Sequence, residues 1–133
     1  MNDGATSLYV ASQKGHLDIV RELLGRGANI ETARIGGFTS LYAASDFNRV
    51  DVVRELLVRG ANTEAAANLG GITPLMRASW SGHVDVVRAM LAAGANKHHF
   101  ADNGDTAASH AGGKLGVPPA DKAAILALLA AAP

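Results

Sequence analysis

The sequence predicts an all-α solenoid of stacked antiparallel helix pairs joined by hairpin-like loops, and three observations lead there. One string is written three times: TSLYVASQKGHLDIVRELLGRGAN from Thr6 to Asn29, TSLYAASDFNRVDVVRELLVRGAN from Thr39 to Asn62, and TPLMRASWSGHVDVVRAMLAAGAN from Thr73 to Asn96. Its period is nearly constant, with threonine at 6, 39, 73 and 106 and glycine at 27, 60 and 94. Each string also holds two stretches of helical spacing separated by a glycine or an asparagine. Self-similarity at such a period marks a repeat protein, in which one unit cannot bury its own apolar face and roughly three or more must stack before a continuous core exists. The 133 residues then read as a single domain of four units, at about 1–33, 34–67, 68–100 and 101–133, the last a divergent C-terminal cap.

Taken in order, each unit opens with a glycine two residues before the threonine, at Gly4, Gly37, Gly71 and Gly104. A glycine held at this spot predicts a tight turn with positive φ. The threonine suits a helix N-cap, its hydroxyl accepting from a backbone N–H two or three residues on. Pro74 follows at the first helical position, where its missing donor is harmless. The first helix is short, about Ser7 to Gln13, with Leu8 and Ala11 three residues apart on one side. It stops at Gly15, Asn48 and Gly82, and asparagine is the non-glycine residue best suited to left-handed geometry.

A second helix is expected from about Leu17 to Arg26, with Ile19, Val20, Leu23 and Leu24 as its apolar stripe. Asp18, Asp51 and Asp85 in the first turn and Arg26 and Arg59 near the end are placed favourably for the helix dipole. Gly27, Gly60 and Gly94 stop this helix. Both helices are shorter than the roughly 12 residues an isolated helix needs in water, so each must be supported by its neighbours.

Charge excludes some functions. Twelve basic and twelve acidic side chains cancel, so no net field gathers the chain onto phosphate backbones or anionic lipid, and nucleic acid is not an expected partner. The absence of cysteine removes disulfide scaffolds, thiolate metal sites and thiol nucleophiles, and fits a reducing compartment. The polar opening MNDGATS has no signal-peptide character, and the longest apolar run, Ala123 to Pro133, is shorter than the roughly 18 residues of a membrane span. A soluble, intracellular and cytoplasmic chain without membrane insertion is the expectation.

Thr73, Pro74, Leu75, Gly82, His83, Val86, Val87, Met90, Leu91, Gly94 and Ala95 together resemble the ankyrin repeat. The resemblance is strong in the first three units and weak in the fourth. It implies a hairpin, helix, helix, loop unit, a curved stack with first helices and hairpin tips on the concave side, and a role in binding other proteins without catalytic residues. Departures are specific. The family's opening histidine is replaced by Tyr9, Tyr42, Met76 and Ser109, so its bonds between repeats must be absent or supplied otherwise. Its closing aspartate is Asn29, Asn62 and Asn96, and the asparagine that hydroxylating enzymes modify in some relatives is Glu31, Glu64 and His98, so no such modification is expected. One extra residue within 65–71 should lengthen the hairpin between units two and three. In the fourth unit Ala107 and Ala108 stand where proline and leucine belong, and AGGKLGVPP separates its helices by roughly five additional residues. That insertion reads as a surface loop. The last helix, Ala120 to Ala132, is alanine-rich around Ile125, Leu126, Leu128 and Leu129, as a terminal cap requires.

Positions that repeat hold the stack, whereas positions that differ from unit to unit are candidates for a partner. By register the outer units offer mostly polar residues here, in the first unit Asn2, Asp3, Gln13 and Lys14 beside Ala5, while the middle two offer Ile35, Phe38, Phe47, Leu69, Ile72 and Trp80. Contiguous exposed apolar patches mark interaction sites, and an aromatic centre with a polar rim is how binding energy is commonly distributed. These six residues are therefore the expected partner groove, rimmed by Lys14, Asp46, Arg77, Asp102 and Asp105. The bland alternative packs Phe38 and Ile72 against neighbouring hairpins and uses Phe47 and Trp80 to cover gaps left by the missing histidine.

Other patterns carry less. His98, His99 and His110 lack the spacing of a metal site, and His16 and His83 are better read as structural hydrogen-bonding residues. GGKL at Gly112 lacks the earlier glycine and the following hydroxyl of a phosphate loop. The expected function is a non-catalytic, monomeric protein-binding module with no metal and no cofactor. The alternatives are a regulatory or targeting fragment of a larger enzyme and a self-associating structural module.

Overall fold

A computed structural model describes residues 6–131. Within them lie eight helices: α1 (Ser7–Lys14), α2 (Leu17–Gly25), α3 (Ser40–Asp46), α4 (Val50–Val58), α5 (Pro74–Ser81), α6 (Val84–Ala92), α7 (Ala107–His110) and α8 (Pro119–Ala130). Each odd-numbered helix packs on the even-numbered helix that follows it. First helices also pack on first helices, α1 on α3, α3 on α5 and α5 on α7, and second helices do the same from α2 to α8. The result is two parallel rows of helices, the solenoid that the period predicts.

The helix starts follow from threonine. Thr6, Thr39 and Thr73 hold extended backbone, and their Oγ1 atoms accept from the N–H groups of Tyr9, Tyr42 and Met76 at 3.1, 3.2 and 3.2 Å. Thr106 forms a capping box with Ser109. The first-helix ends also match the sequence: Gly15 and Gly82 take left-handed geometry, and Asn48 does so at φ 59°, alone among the described non-glycine residues. Gly37, Gly71 and Gly104 have positive φ as well, while Gly4 lies outside the described residues.

The core runs the length of the stack. Val20, Val53 and Val87 are fully buried at one register position, and Leu56, Met90, Leu41, Leu75 and Ile125 fill in beside them. Each such side chain contributes about 1.5–3 kcal/mol through burial, which is how helices of eight or nine residues persist. One expectation is corrected here. Ile19 is not part of a buried stripe: it is 49 % exposed, because among the described residues no helix packs beyond α2, whereas Val52 and Val86 at the same register are covered by the preceding unit. In α8 only Ile125 and Leu129 are buried, and Leu126 faces outward.

Between units the chain forms hairpins. Arg34 and Phe38 make an antiparallel bridge, the Arg34 N–H donating to the Phe38 carbonyl at 3.1 Å, and Ala101 and Asp105 close the equivalent turn at 2.8 Å. Between units two and three the closing bond joins Ala67 to Ile72, one residue further apart, which places the extra residue inside that turn. Successive hairpins are tied together: the Asn68 N–H donates to the Gly36 carbonyl at 2.7 Å, and the Asp102 N–H to the Gly70 carbonyl at 3.0 Å. Close approach explains the glycines. A Cβ on Gly71 would sit 2.5 Å from Asp102 Oδ1, and one on Gly37 would sit 2.5 Å from Asn68 Oδ1.

Gly71→Ala should therefore cost more than Gly27→Ala. Both force alanine to positive φ, at about 1–3 kcal/mol, but a Cβ at Gly27 meets nothing within 4 Å. Urea unfolding of the two variants checks this, and equal losses would contradict the close-approach argument.

Candidate functional site

Placement of the candidate groove begins with the last carbonyls of the first helices, which have no partner inside their own helix. One register position, Gln13, Asp46 and Trp80, is served from the following unit each time. Arg49 Nε donates to the Gln13 carbonyl at 2.9 Å, His83 Nε2 donates to the Asp46 carbonyl at 2.9 Å, and the Lys114 N–H donates to the Trp80 carbonyl at 3.1 Å. His83 is thus structural, as its place at the glycine-histidine break predicts, whereas the same expectation for His16 is corrected: it is exposed and makes no side-chain hydrogen bond among the described residues. Arg49 does in unit two what histidine does in unit three. In the fourth unit the insertion supplies a backbone donor instead, and Gly112 adds a bond to the Ser79 carbonyl at 2.8 Å. The insertion is anchored at these points, with Leu115 fully exposed at its outer edge.

The second helices and loops are tied as well. Glu31 and Glu64 accept from the N–H groups of Asn62 and Asn96 in the next unit at 2.8 and 3.0 Å. Arg21 and Arg59 both reach Glu55, and their hydrogen bonds, that of Arg59 first, hold its carboxyl below the ordinary range.

Against this frame the eleven candidate residues separate by exposure. Ile35 (68 % exposed) and Leu69 (89 %) occupy the tips of adjacent hairpins, each one residue from the Asn68 to Gly36 bond that joins them. Phe47, 47 % exposed, ends α3. Phe38 and Ile72 are half-buried: Phe38 tilts at 55° against Tyr42 with ring centroids 5.1 Å apart, and Ile72 lies against the core. Trp80 is also half-buried. The Arg77 guanidinium lies over its ring at 4.5 Å, Lys114 approaches at 6.0 Å, and Gly113 is so close that a Cβ there would meet the indole at 2.5 Å.

Arg77 joins several of these. Its Nε donates to Asp46 Oδ1 at 2.7 Å, crossing from α5 to α3, while its plane covers Trp80. Burial raises the Tyr42 hydroxyl above its ordinary pKa, and the nearby Arg77 charge works in the opposite direction. Asp102 and Asp105 sit at the third hairpin. Asp102 is exposed, and Asp105 takes hydrogen bonds from Asn103 and from His110 Nε2, the latter at 3.2 Å. Lys14 is exposed at the end of α1, and Asn2, Asp3 and Ala5 lie outside the described residues.

Sequence reasoning passed over Phe100 and Val58, both well exposed. A signal existed for each: Ala33 and Ala66 occupy the Phe100 register, and Gly25 and Ala92 that of Val58. Of the other histidines, His98 is exposed and His99 lies 3.3 Å from Glu64. Among the described residues no three His, Cys, Asp or Glu side chains are grouped to hold a metal ion, and no helix is long and apolar enough to cross a membrane.

Two rows of short helices with paired hairpins, capped by threonine and locked unit to unit, define a stacked helical-repeat protein. The family model for ankyrin repeats in three copies matches residues 8–101, and the chain belongs to the ankyrin-repeat family. The match ends before α7, where the unit is shortened and carries its insertion. No curated protein matches the chain. Ankyrin repeats are generally protein–protein interaction modules, and the family is typically non-catalytic.

The single tryptophan makes its surroundings readable by fluorescence. Arg77→Ala should shift Trp80 emission to longer wavelength and leave helical circular dichroism unchanged, since it uncovers the indole without opening the core. Unshifted emission would contradict the cover described for Arg77.

Proposed function

We propose that this chain is a non-catalytic module that binds a protein or peptide across the face formed by its hairpin tips and first helices, concave in the family. Ile35, Leu69 and Phe47 supply exposed apolar contact, Phe38, Ile72 and Trp80 form the half-buried floor, and Lys14, Asp46, Arg77, Asp102 and Asp105 form the polar rim. The observation that carries this reading is the adjacency of Ile35 and Leu69, held at the tips of two hydrogen-bonded hairpins where the stack itself has no use for them. An apolar centre within a charged border is the usual distribution of binding energy at a protein interface. The partner is another protein or peptide and not nucleic acid or the membrane interior; the module acts as a monomer inside the cell, in the cytoplasm.

Affinity capture with the full chain and with Phe47→Ala combined with Leu69→Ser tests the reading. Both residues are exposed, so the melting temperature should hold, while loss of central apolar anchors should cost about 2 kcal/mol, roughly thirtyfold in affinity, and remove the captured proteins. Recovery of the same proteins by the variant would overturn it.

A further inference from the structure

The tips of the described hairpins form one connected row. The Asn68 N–H bonds to the Gly36 carbonyl and the Asp102 N–H to the Gly70 carbonyl, so Ile35, Leu69 and Asp102 stand on three consecutive, linked turns. Ile35 and Leu69 are apolar and well exposed. At the third turn the chemistry changes. Asp102 takes the register of Asn68, since each donates its N–H to a glycine carbonyl of the preceding hairpin, and a carboxylate thus stands where the unit before has a neutral amide. Asp102 is exposed, and its carboxylate lies against Gly71, two residues from Leu69. Its charge is unmatched: among the described residues the carboxylate accepts no hydrogen bond and forms no ion pair. The other charged residues of these hairpins are engaged, Asp105 with Asn103 and His110, and Arg34 over the Tyr9 ring at 5.4 Å.

We propose that the partner segment lying along this row presents, on one side and in this order, an apolar residue to Ile35, a second apolar residue to Leu69 and a lysine or arginine to Asp102. The inference rests on the reading that hairpin tips and first helices bind a protein or peptide, and it adds what that partner carries. Two apolar tips alone leave a bound segment free to slip by one unit or to reverse. A carboxylate at one end fixes its register and direction, which is the main contribution of a charge at the edge of an interface. Spacing sets the pattern. Packed helices lie about 8–10 Å apart, and the turns that join them follow at that interval. An extended segment of the polyproline type returns to the same side every third residue, about 9.3 Å on, within that range. An α-helix returns there only at the seventh residue, about 10.5 Å on, outside it. The partner therefore has apolar residues three apart and its basic residue three further along.

Selection against the full chain from a displayed library of random peptides of about 16 residues, long enough to show either spacing, tests this. Peptides with the extended pattern should be enriched. Bait carrying Asp102→Lys should keep its helical circular dichroism, because the side chain is exposed, and should select aspartate or glutamate at the third contact while retaining the apolar pair. In a selected peptide, glutamine in place of the basic residue should weaken binding roughly two- to fivefold, the effect of an exposed charge pair, and this loss should vanish against Asp102→Asn. Enriched peptides with no basic residue at that place, a charge preference that Asp102→Lys leaves unchanged, or apolar residues seven apart would overturn the inference while leaving the groove intact. The groove fails by a different result: no enrichment by the full chain, or the same peptides enriched by bait carrying Ile35→Ser with Leu69→Ser, would overturn both.

Discussion

The contact between one helix pair and the next is the constraint on which everything else in this chain rests. Among the described residues every helix but α8 is too short to persist alone, α8 only reaches the marginal length of about 12 residues, and no pair has an interior of its own. Val20, Val53 and Val87 become buried because a neighbour lies beside each, and the helix ends are satisfied across the same boundary by Arg49, His83 and Lys114. Stability of this kind is a sum over interfaces between nearest neighbours, so the two ends of the stack differ from its middle by necessity. Ile19 and the alanine-rich outer side of α8 are the two forms that difference takes.

The same constraint frees other positions. Once threonine caps, turn glycines and apolar helix faces have fixed the path of the chain, residues at hairpin tips and on the outer side of the first helices have no part in it. Ile35 and Leu69 stand at such points, and their exposure has no structural return. Phe38, Ile72 and Trp80 are intermediate, serving the hairpins or the first helices with one side and solvent with the other. Arg77 connects the two roles, since it bonds to Asp46 across an interface and covers the indole of Trp80.

Much of the frame was legible in the residues because each signal has a local cause. A threonine before a short amphipathic run is an N-cap, an asparagine in a glycine column marks left-handed backbone, and one additional residue in a loop lengthens that loop. What escaped depends on partners far away in sequence. Nothing local marks Arg49 as the donor to Gln13, or Glu31 and Glu64 as acceptors from the next unit; those follow only once two units are laid side by side. Exposure of Ile19 escaped for the same reason, since a repeated pattern describes what a unit can bury and not whether a neighbour is present. The burial of Trp80 also turns on Gly113, which a one-dimensional register does not set beside it, whereas Arg77 lies three residues from Trp80 and Tyr42 four from Phe38.

The central claim is a division of labour, in which register residues carry the stack and variable apolar residues do not. Equilibrium urea unfolding of Leu56→Ala beside Leu69→Ala measures it directly, because the two substitutions remove the same atoms from opposite environments. The account predicts a loss of about 2–5 kcal/mol for Leu56→Ala and a change within about 0.5 kcal/mol for Leu69→Ala. Comparable losses at the two sites would contradict it.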